Sequence, residues 1–440
     1  MSSAVKEKSV YADAFRDFVG GRTGEPSWVA RLRAGAFERF EETGFPTTDE
    51  EDWKYTNVAP IARKSFRTAV EKVELESAAV ERFVSAEARQ SRLVFVNGVY
   101  SPEHSSLEAI PSGVTVEELG AALAGEHGEV LWNHLARLSG EGSDAFTVLN
   151  TAFLGGGALL VVPEGVVVES PVQLLFLTTQ AEVVTFPRVL VVAERDSRLD
   201  IIESYASLGD AEYFTDAVVE VFVGEGARVT HYKVQDEADG AFHVASTRAE
   251  VSKDGAYDLT TVTLGARLSR HNVEVALVSP GAECHVDGLY LVGDGQHTDT
   301  HSLIDHREPN CASRQTYKGI LDGKSRAVFN GRVYVHEGAS GTDAQQNNKN
   351  LLLSTDARVD TKPQLEIYND DVKCAHGATV GQLEEEELFY LLSRGLHPDL
   401  ARNLLTYGFA EEIVEKIKFD SIRAQLDEAI LNRLHARLEV

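Results

Sequence analysis

The middle of the chain is a succession of short apolar runs, and each run ends after several residues at a Gly, Asp or Pro. The pattern begins at Leu159 and continues to about residue 381; examples are 159–162, 165–168, 172–177, 189–192 and 218–223. Runs rich in Val, Ile and Leu that lack the spacing of a helix are typical of β-strands. The pattern therefore predicts a long β-rich body.

A small residue recurs at the start of successive runs within this body. It stands at Ser197, Ala227, Ala256, Ala282 and Ala312, so that the intervals are roughly 30 residues each. A repeating unit of this length with several short strands is typical of a solenoid, whose units bury their faces against the next unit. A jelly roll or double sandwich shows a similar alternation and is the competing architecture. We expect a parallel β-helix.

Helical patterns flank the β body on both sides. Near the N-terminus, one apolar stripe predicts a helix; it consists of Trp28, Val29, Leu32, Ala36 and Phe37. Thr115 is expected to cap a second helix. After the body, the acidic run 384–387 suits a helix N-terminus, Gly395 its left-handed end and Pro398 the next start. We therefore expect an N-terminal helical or α+β region over 1–150, a β-helix core over 151–382 and a C-terminal helical domain over 383–440.

Composition narrows the classes of function. The 440 residues carry a net charge of −27, which disfavours binding to nucleic acid or to anionic membranes. The N-terminus has no apolar run typical of a signal peptide, and no stretch is long and apolar enough for a membrane span. The three cysteines are too few for a disulfide framework and indicate a reducing compartment. We expect a cytoplasmic protein.

Two motifs in the β body resemble functional sites, but a structural role explains their residues better. Residues 321–325, LDGKS, end like a phosphate-binding loop, but Lys318 occupies the position that requires the first glycine. We therefore expect no ATP hydrolysis by this chain. His297, His301 and His306 alternate with carboxylates, but offsets of four and five in strands place the rings on both faces. Packed, hydrogen-bonded histidines are the expected outcome.

The carboxylates of the β body support an alternative function. They include Asp258, Asp287, Asp299 and Asp305. Many β-helix proteins cleave polysaccharides with acidic and basic residues in a cleft, so a cytoplasmic carbohydrate-active enzyme is the second hypothesis. A purely structural scaffold is the third.

The stretch 370–379 holds the most distinctive pair of side chains, because Cys374 and His376 are two residues apart. In a strand they point to the same face, flanked there by Val372 and Ala378. A sulfur and an imidazole nitrogen are good ligands for iron, but two ligands make half a site. Either a second chain completes the site or the cysteine is a packed small hydrophobe.

Four ordered motifs resemble the SufB/SufD family of the Suf iron–sulfur cluster assembly machinery. The run 370–381, DDVKCAHGATVG, closely resembles the C-terminal motif of the SufD branch. Other matches are similar to the family's N-terminal motif, body signature and C-terminal helical element: 51–56, 296–301, Pro309, Ser313, 317–323, 328–331 and 390–396. The resemblance runs from about residue 40 to the end.

Two features favour the SufD branch over the SufB branch. SufB carries a cysteine in the strand that corresponds to 345–348, where this chain has only amides. SufB also has carboxylates beside the matching histidine, where this chain has Ala375 and Gly377. Alanine at 375 departs from the serine frequent in SufD, but both potential ligands remain.

The resemblance implies a right-handed parallel β-helix between helical termini, in a non-catalytic scaffold subunit. It implies pairing with SufB, while two copies of the ATPase SufC bind the helical C-terminal domains, so that ATP is used only through SufC. A nascent iron–sulfur cluster shared with SufB would form at the interface. His376 is then the expected metal ligand, with Cys374 a second ligand or a packing residue. An isolated preparation is expected to form a homodimer through the same surface.

Overall fold

The computed structural model describes residues 2–22, 24–68, 72–140 and 143–434, without the side chains of residues 2–10. It is a parallel β-solenoid of about eight turns with helices before and after it. This confirms the predicted β-helix over the sandwich alternative. None of the described helices is long and apolar enough to cross a membrane.

Successive strands of the solenoid alternate between two sheets, and strands two apart in sequence pair in parallel. The first sheet contains β1 (Arg67–Thr68), β4 (Thr115–Glu118), β5 (Gly156–Val162), β7 (Val183–Thr185), β8 (Pro187–Ala193), β10 (Phe214–Val223), β12 (Phe242–Val251), β14 (Leu268–Leu277), β16 (His297–His306), β18 (Arg326–Val335) and β20 (Arg358–Ile367). The second contains β2 (Arg92–Val96), β3 (Val99–Tyr100), β6 (Val172–Thr178), β9 (Arg198–Ser207), β11 (Arg228–Asp236), β13 (Ala256–Thr263), β15 (Glu283–Val292), β17 (Ala312–Leu321), β19 (Thr342–Leu352) and β21 (Val372–Gly381).

The sequence repeat corresponds to one turn of the solenoid. The residues in register on the second sheet are Arg198, Arg228, Ala256, Glu283 and Ala312. The predicted starting positions were therefore out of phase by a single position at Ser197, Ala227 and Ala282. The repeat itself is confirmed, because each unit adds one strand to each sheet.

Glycines in the left-handed conformation let adjacent turns stack closely. Gly281 has φ +76°, and a Cβ there would lie 2.2 Å from an Asp254 oxygen of the preceding turn. Gly323 has φ +58° and meets Asp294 in the same way at 2.1 Å. Any larger side chain would collide with that carboxylate as well as strain the backbone.

Alternate residues of every strand point into the solenoid and form its core. The interior contains apolar side chains from all turns, such as Leu160, Val191, Val219, Val275 and Val333. Burial of this kind is the main favourable term in folding. The outward positions face either solvent or the helices.

The N-terminal helices are α1 (Ser2–Gly20), α2 (Ser27–Thr43), α3 (Ala59–Ala62), α4 (Ser77–Glu81), α5 (Leu119–Ala124), α6 (Gly128–His134) and α7 (Ala145–Ala152), with 3-10 turns at Glu51–Trp53, Ala86–Ala88 and Pro102–His104. Helix α4 packs on the second sheet, where Val80 lies with Leu175 and Leu177. The other helices cover the outer face of the first sheet. Phe37, Trp53 and Phe146 pack there against Phe214 and Phe242 of the sheet. This packing fixes the N-terminal region on the solenoid.

The C-terminal helices are α8 (Glu385–Ser393), α9 (Pro398–Val414) and α10 (Asp420–Arg433). Helices α8 and α9 begin as predicted, with Gly395 at φ +94° between them. Ile413 and Ile422 of α9 and α10 pack against Ile202 and Leu289 on the outer face of the second sheet. Helix α8 buries no residue.

Two local predictions were wrong. Thr115 lies in strand β4, and the side chain of Glu118 caps α5 instead by accepting from the N–H groups of Gly120 and Ala121. The apolar run 165–168 forms a turn with one isolated bridge at Val167. In both cases pairing or capping by a neighbouring residue overrides the local pattern.

Candidate functional site

The last turn of the solenoid ends in two free strand edges. Strand β20 pairs only with β18, and β21 pairs only with β19, among the described residues. Each is ten residues long, so each offers a row of unpaired backbone N–H and C=O groups. The apolar side chains of Ile367, Tyr368 and Val380 are also exposed here. This turn is an uncovered surface of the protein.

Cys374 and His376 lie on β21, on the strand face that points toward the interior. Their register partners on β19 are Ala344 and Gln346, which are buried, whereas the intervening Gln345 is exposed. The predicted common face of the two side chains is therefore confirmed. Because no further turn among the described residues covers this strand, His376 is exposed although it occupies an interior column.

The two side chains differ in their environment. Cys374 is partly buried and packs with Val372 against the solenoid core. Burial, and more weakly Asp343, raises the pKa of the Cys374 thiol above its ordinary value, although a backbone N–H of Ala344 opposes this. A protonated thiol is a poor metal ligand. His376 makes no hydrogen bond, ion pair or ring contact with the described residues, so its ring nitrogens remain available.

The three histidines of β16 are packed and hydrogen-bonded, as predicted. His297 lies 2.8 Å from Thr56 Oγ1, and His301 lies 3.2 Å from Asp299 on the outward face. His306 faces inward, 2.9 Å from Ser313 Oγ. Burial lowers the pKa of His306 to about 4, against a smaller opposing effect of Asp305.

The carboxylates of the carbohydrate hypothesis do not converge on one cleft, because they divide between the two sheets. Asp258 and Asp287 lie on the second sheet, paired with His285 at 2.6 Å and Lys416 at 2.8 Å. Asp299 and Asp305 lie on the first sheet, paired with Arg270 and Arg307. Each of the four therefore already has a basic side chain as its partner.

The phosphate-loop-like run 321–325 is a tight turn between β17 and β18. The backbone N–H of Lys324 donates to Asp294 at 2.5 Å. A carboxylate therefore takes the place that a phosphate would need, and a strand rather than a helix follows. The turn does not have the geometry of a nucleotide site.

A buried polar cluster inside the middle turns was missed from the sequence. His231 bridges Glu203 at 2.7 Å and Tyr257 at 2.9 Å. Burial alone would raise the pKa of Glu203, but Lys233 and His231 outweigh it and hold the pKa at about 2. These charges are stable in the interior because they are paired.

The second half of the cluster is built around Lys233, which is 3% exposed. Its ammonium donates to His243 Nε2 at 2.9 Å, and His243 Nδ1 lies 2.8 Å from Glu237. Burial, followed by Lys233, lowers the pKa of His243. The register of the strands could have revealed the cluster, because it places Glu203, His231 and Lys233 at inward positions.

No group of three or more His, Cys, Asp or Glu residues arranged to hold a metal occurs in the described part of the chain.

The fold defines the class of this protein as a parallel β-solenoid with helical regions before and after it. The family description "SUF system FeS cluster assembly, SufBD core domain" matches residues 176–409. The description "SufBD protein N-terminal region" matches residues 8–174. The chain belongs to the SufBD family, and its role is in iron–sulfur cluster assembly.

Relatives match over almost the whole chain. An iron–sulfur cluster assembly SufBD family protein of Synechocystis is 38% identical, covering 92% of this chain and 91% of the relative. The iron–sulfur cluster assembly protein SufD of Escherichia coli is 32% identical over 89% of this chain and 90% of its own length. SufD of Bacillus subtilis is 27% identical over 92% and 94%.

Proposed function

We propose that the chain is a non-catalytic scaffold subunit that pairs with SufB through the last solenoid turn and binds the ATPase SufC through its C-terminal helices. His376 supplies one ligand to the nascent iron–sulfur cluster, opposite a cysteine of SufB. The observation that carries the proposal is an exposed imidazole on the free terminal strand that has no partner among the described residues. The cluster is assembled cargo, and the second subunit supplies further ligands.

The chemistry of His376 suits a cluster that is handed on. A neutral imidazole binds iron more weakly than a thiolate does, and imidazole becomes protonated near neutral pH. Cys374 is the secondary candidate, because burial raises the pKa of its thiol and so disfavours the thiolate that binds metal. We assign it to packing when no metal is bound.

The free edges of β20 and β21 support pairing with a related solenoid. Two strand edges of ten residues satisfy their backbone groups most fully by pairing with similar edges of a second chain. SufB is the expected partner because it shares the fold. When SufB is absent, a second copy of this chain is expected to use the same edges and form a homodimer.

The metal role is tested in the complex formed by co-expression with SufB and SufC. His376→Ala should leave complex formation intact and abolish the cluster, measured as iron and acid-labile sulfide per complex. Thr379→Ala is the matched control, because Thr379 is exposed on the opposite face of the same strand. A normal cluster yield in the His376 variant would remove this residue from the mechanism.

The C-terminal helices present the surface proposed for SufC. Phe389 and Tyr390 of α8 are 72% and 56% exposed, and Leu404 of α9 is 50% exposed. Large aromatic side chains at such exposure are typical of binding sites. ATP then acts on this chain only through SufC, and we infer that the complex is cytoplasmic.

Point substitutions test SufC docking better than deletion of residues 384–440, because deletion would also uncover the apolar face that α9 and α10 bury. Phe389→Ser combined with Tyr390→Ser should reduce SufC co-purification by about tenfold or more. Glu385→Gln, on the same helix, is the control. Undiminished co-purification of SufC with the double variant would contradict docking through α8.

A further inference from the structure

The interior of the last two turns contains a ladder of glutamine side chains that ends beneath His376. Ser302 Oγ accepts from Gln315 Nε2 at 2.8 Å, and Gln315 Oε1 accepts from Gln346 Nε2 at 2.6 Å. Gln315, Gln346 and His376 are consecutive register partners on β17, β19 and β21. Gln315 therefore directs its oxygen toward the open end, and both glutamines donate their N–H groups toward the interior.

The last oxygen of this ladder has no partner. Gln346 is 1% exposed, yet its Oε1 atom is buried without a hydrogen bond. A buried acceptor without a hydrogen bond destabilises the folded state. The adjacent column position on the open side is occupied by His376, whose ring also lacks a partner among the described residues. A donor on the imidazole would satisfy both groups.

The surrounding residues keep the amide of Gln346 in this position. Gly331 lies beside it on the facing sheet, where a Cβ would come within 2.5 Å of Gln346 Nε2. With Gln315 donating to Ser302, a reversed amide of Gln346 would place two oxygens together. In this arrangement Oε1 of Gln346 is the acceptor left without a partner.

We propose that Gln346 is a positioning residue, which accepts a hydrogen bond from Nδ1–H of His376 and leaves the Nε2 lone pair directed out of the open end. The inference rests on the proposed function of His376 as a ligand. A hydrogen bond to one ring nitrogen fixes the tautomer and orientation of a metal-binding histidine. Nε2 lies farther from the backbone, so it is the nitrogen that reaches a cluster at the interface.

The tautomer of His376 in the metal-free chain provides the test. The chain is labelled with ¹⁵N-histidine and studied by NMR at a fixed pH of about 8, where unpaired imidazoles are neutral. The His376 resonances are assigned by their loss in His376→Ala. We expect the protonated nitrogen to be Nδ1 in the wild-type chain, and to shift toward Nε2 in Gln346→Leu.

Two further variants complete the experiment. Gln345→Leu is the matched control, because Gln345 is exposed on the opposite face of β19, and His376 should keep its wild-type tautomer in this variant. Gln346→Met keeps the length of the side chain if leucine disturbs folding, and it should also release the Nδ1–H tautomer. The same tautomer in the wild-type chain and in both Gln346 variants would overturn the proposal.

The result separates this inference from the proposed function. If His376→Ala retains a normal cluster in the complex, the ligand role fails whatever the tautomer is. If the tautomer of His376 is the same in the wild-type chain and the Gln346 variants while His376→Ala abolishes the cluster, the ligand role stands and the positioning role fails. If the ligand role of His376 and the positioning role of Gln346 are both supported, Gln346→Leu should also lower the cluster content of the complex without dissociating it.

Discussion

The middle turns and the last turn of the solenoid both place ionisable side chains at inward positions, but these side chains differ in burial and in pairing. Glu203, His231 and Lys233 are buried, and each has a partner inside the protein. His376 occupies an equivalent inward position on β21, yet it is exposed and has no partner among the described residues. The difference arises because another turn covers β9 and β11, whereas none in the described part of the chain covers β21.

This comparison indicates which polar residues are structural and which are available for a ligand. A fully paired buried cluster cannot accept a metal without losing the bonds that hold its charges in the interior. An unpaired imidazole at a free edge loses nothing when it binds. Along the same column, the side chains therefore change from buried and paired to exposed and available at the open end.

The largest expected effect comes from breaking the middle cluster. Glu203→Gln removes a charge beside Lys233 and His231, and uncompensated buried charges cost about 3–5 kcal/mol. The free energy of unfolding in urea should fall by about that amount. Glu225→Gln, at an exposed turn position, should change it by less than about 1 kcal/mol. If Glu203→Gln lowers the free energy of unfolding by less than about 1 kcal/mol, a structural role for the pairing of Glu203 with Lys233 and His231 is contradicted.

A comparable effect should appear in the pH dependence of stability through His306. Burial lowers its pKa to about 4 in the folded chain, whereas an unfolded histidine titrates near 6.5. Between these two pKa values the unfolded state binds more protons than the folded state. The free energy of unfolding should therefore fall by about 3 kcal/mol as the pH drops from about 6.5 to about 4.

Urea unfolding at several pH values measures this loss. His306→Gln should flatten the dependence between about pH 6.5 and 4. Ser313→Ala removes only the 2.9 Å hydrogen bond, so it should lower stability about equally across that range. An unchanged pH slope in His306→Gln would assign the dependence to other groups.

A smaller effect should distinguish the cysteines of the two regions. Cys284 and Cys311 are each 1% exposed, whereas Cys374 is partly buried at the open turn. In the folded chain, iodoacetamide should modify Cys374 at least about tenfold faster than the other two, as followed by peptide mass spectrometry. Equal rates would show that the last turn is no more accessible than the middle. In urea, the three rates should converge.

The smallest expected effect on stability belongs to the proposed ligand itself. His376→Ala removes an exposed side chain whose only proposed hydrogen bond is the one to Gln346, so the free energy of unfolding should fall by no more than about 1 kcal/mol. Urea unfolding of the isolated chain measures it. A loss several times larger than that would indicate that His376 is a packing residue, as the members of the middle cluster are.

The fold was largely predictable because its signals are local and repeated. Regularly spaced apolar runs specify the turns, and the acidic start and glycine end of α8 mark the passage to helix. The errors at Thr115 and 165–168 occurred where a distant strand or an adjacent carboxylate decides the conformation. Local pattern carries no information about those partners.

The candidate site was predictable only in part. The period of a strand placed Cys374 and His376 on one face, but only the closed solenoid shows that β21 is the last strand and that His376 is exposed. The buried cluster escaped prediction because Glu203, Lys233 and His243 come together only when successive turns stack. Isolated charges in a sequence are otherwise assigned to solvent.

The central claim is that the imidazole of His376 binds the cluster across a subunit interface. The most direct test is hyperfine spectroscopy of the reduced cluster in the complex with SufB and SufC, with ¹⁵N-histidine incorporated only in this chain. We predict a coupled nitrogen from this chain in the wild-type complex. A reduced cluster that shows no ¹⁵N coupling from this chain would contradict the account.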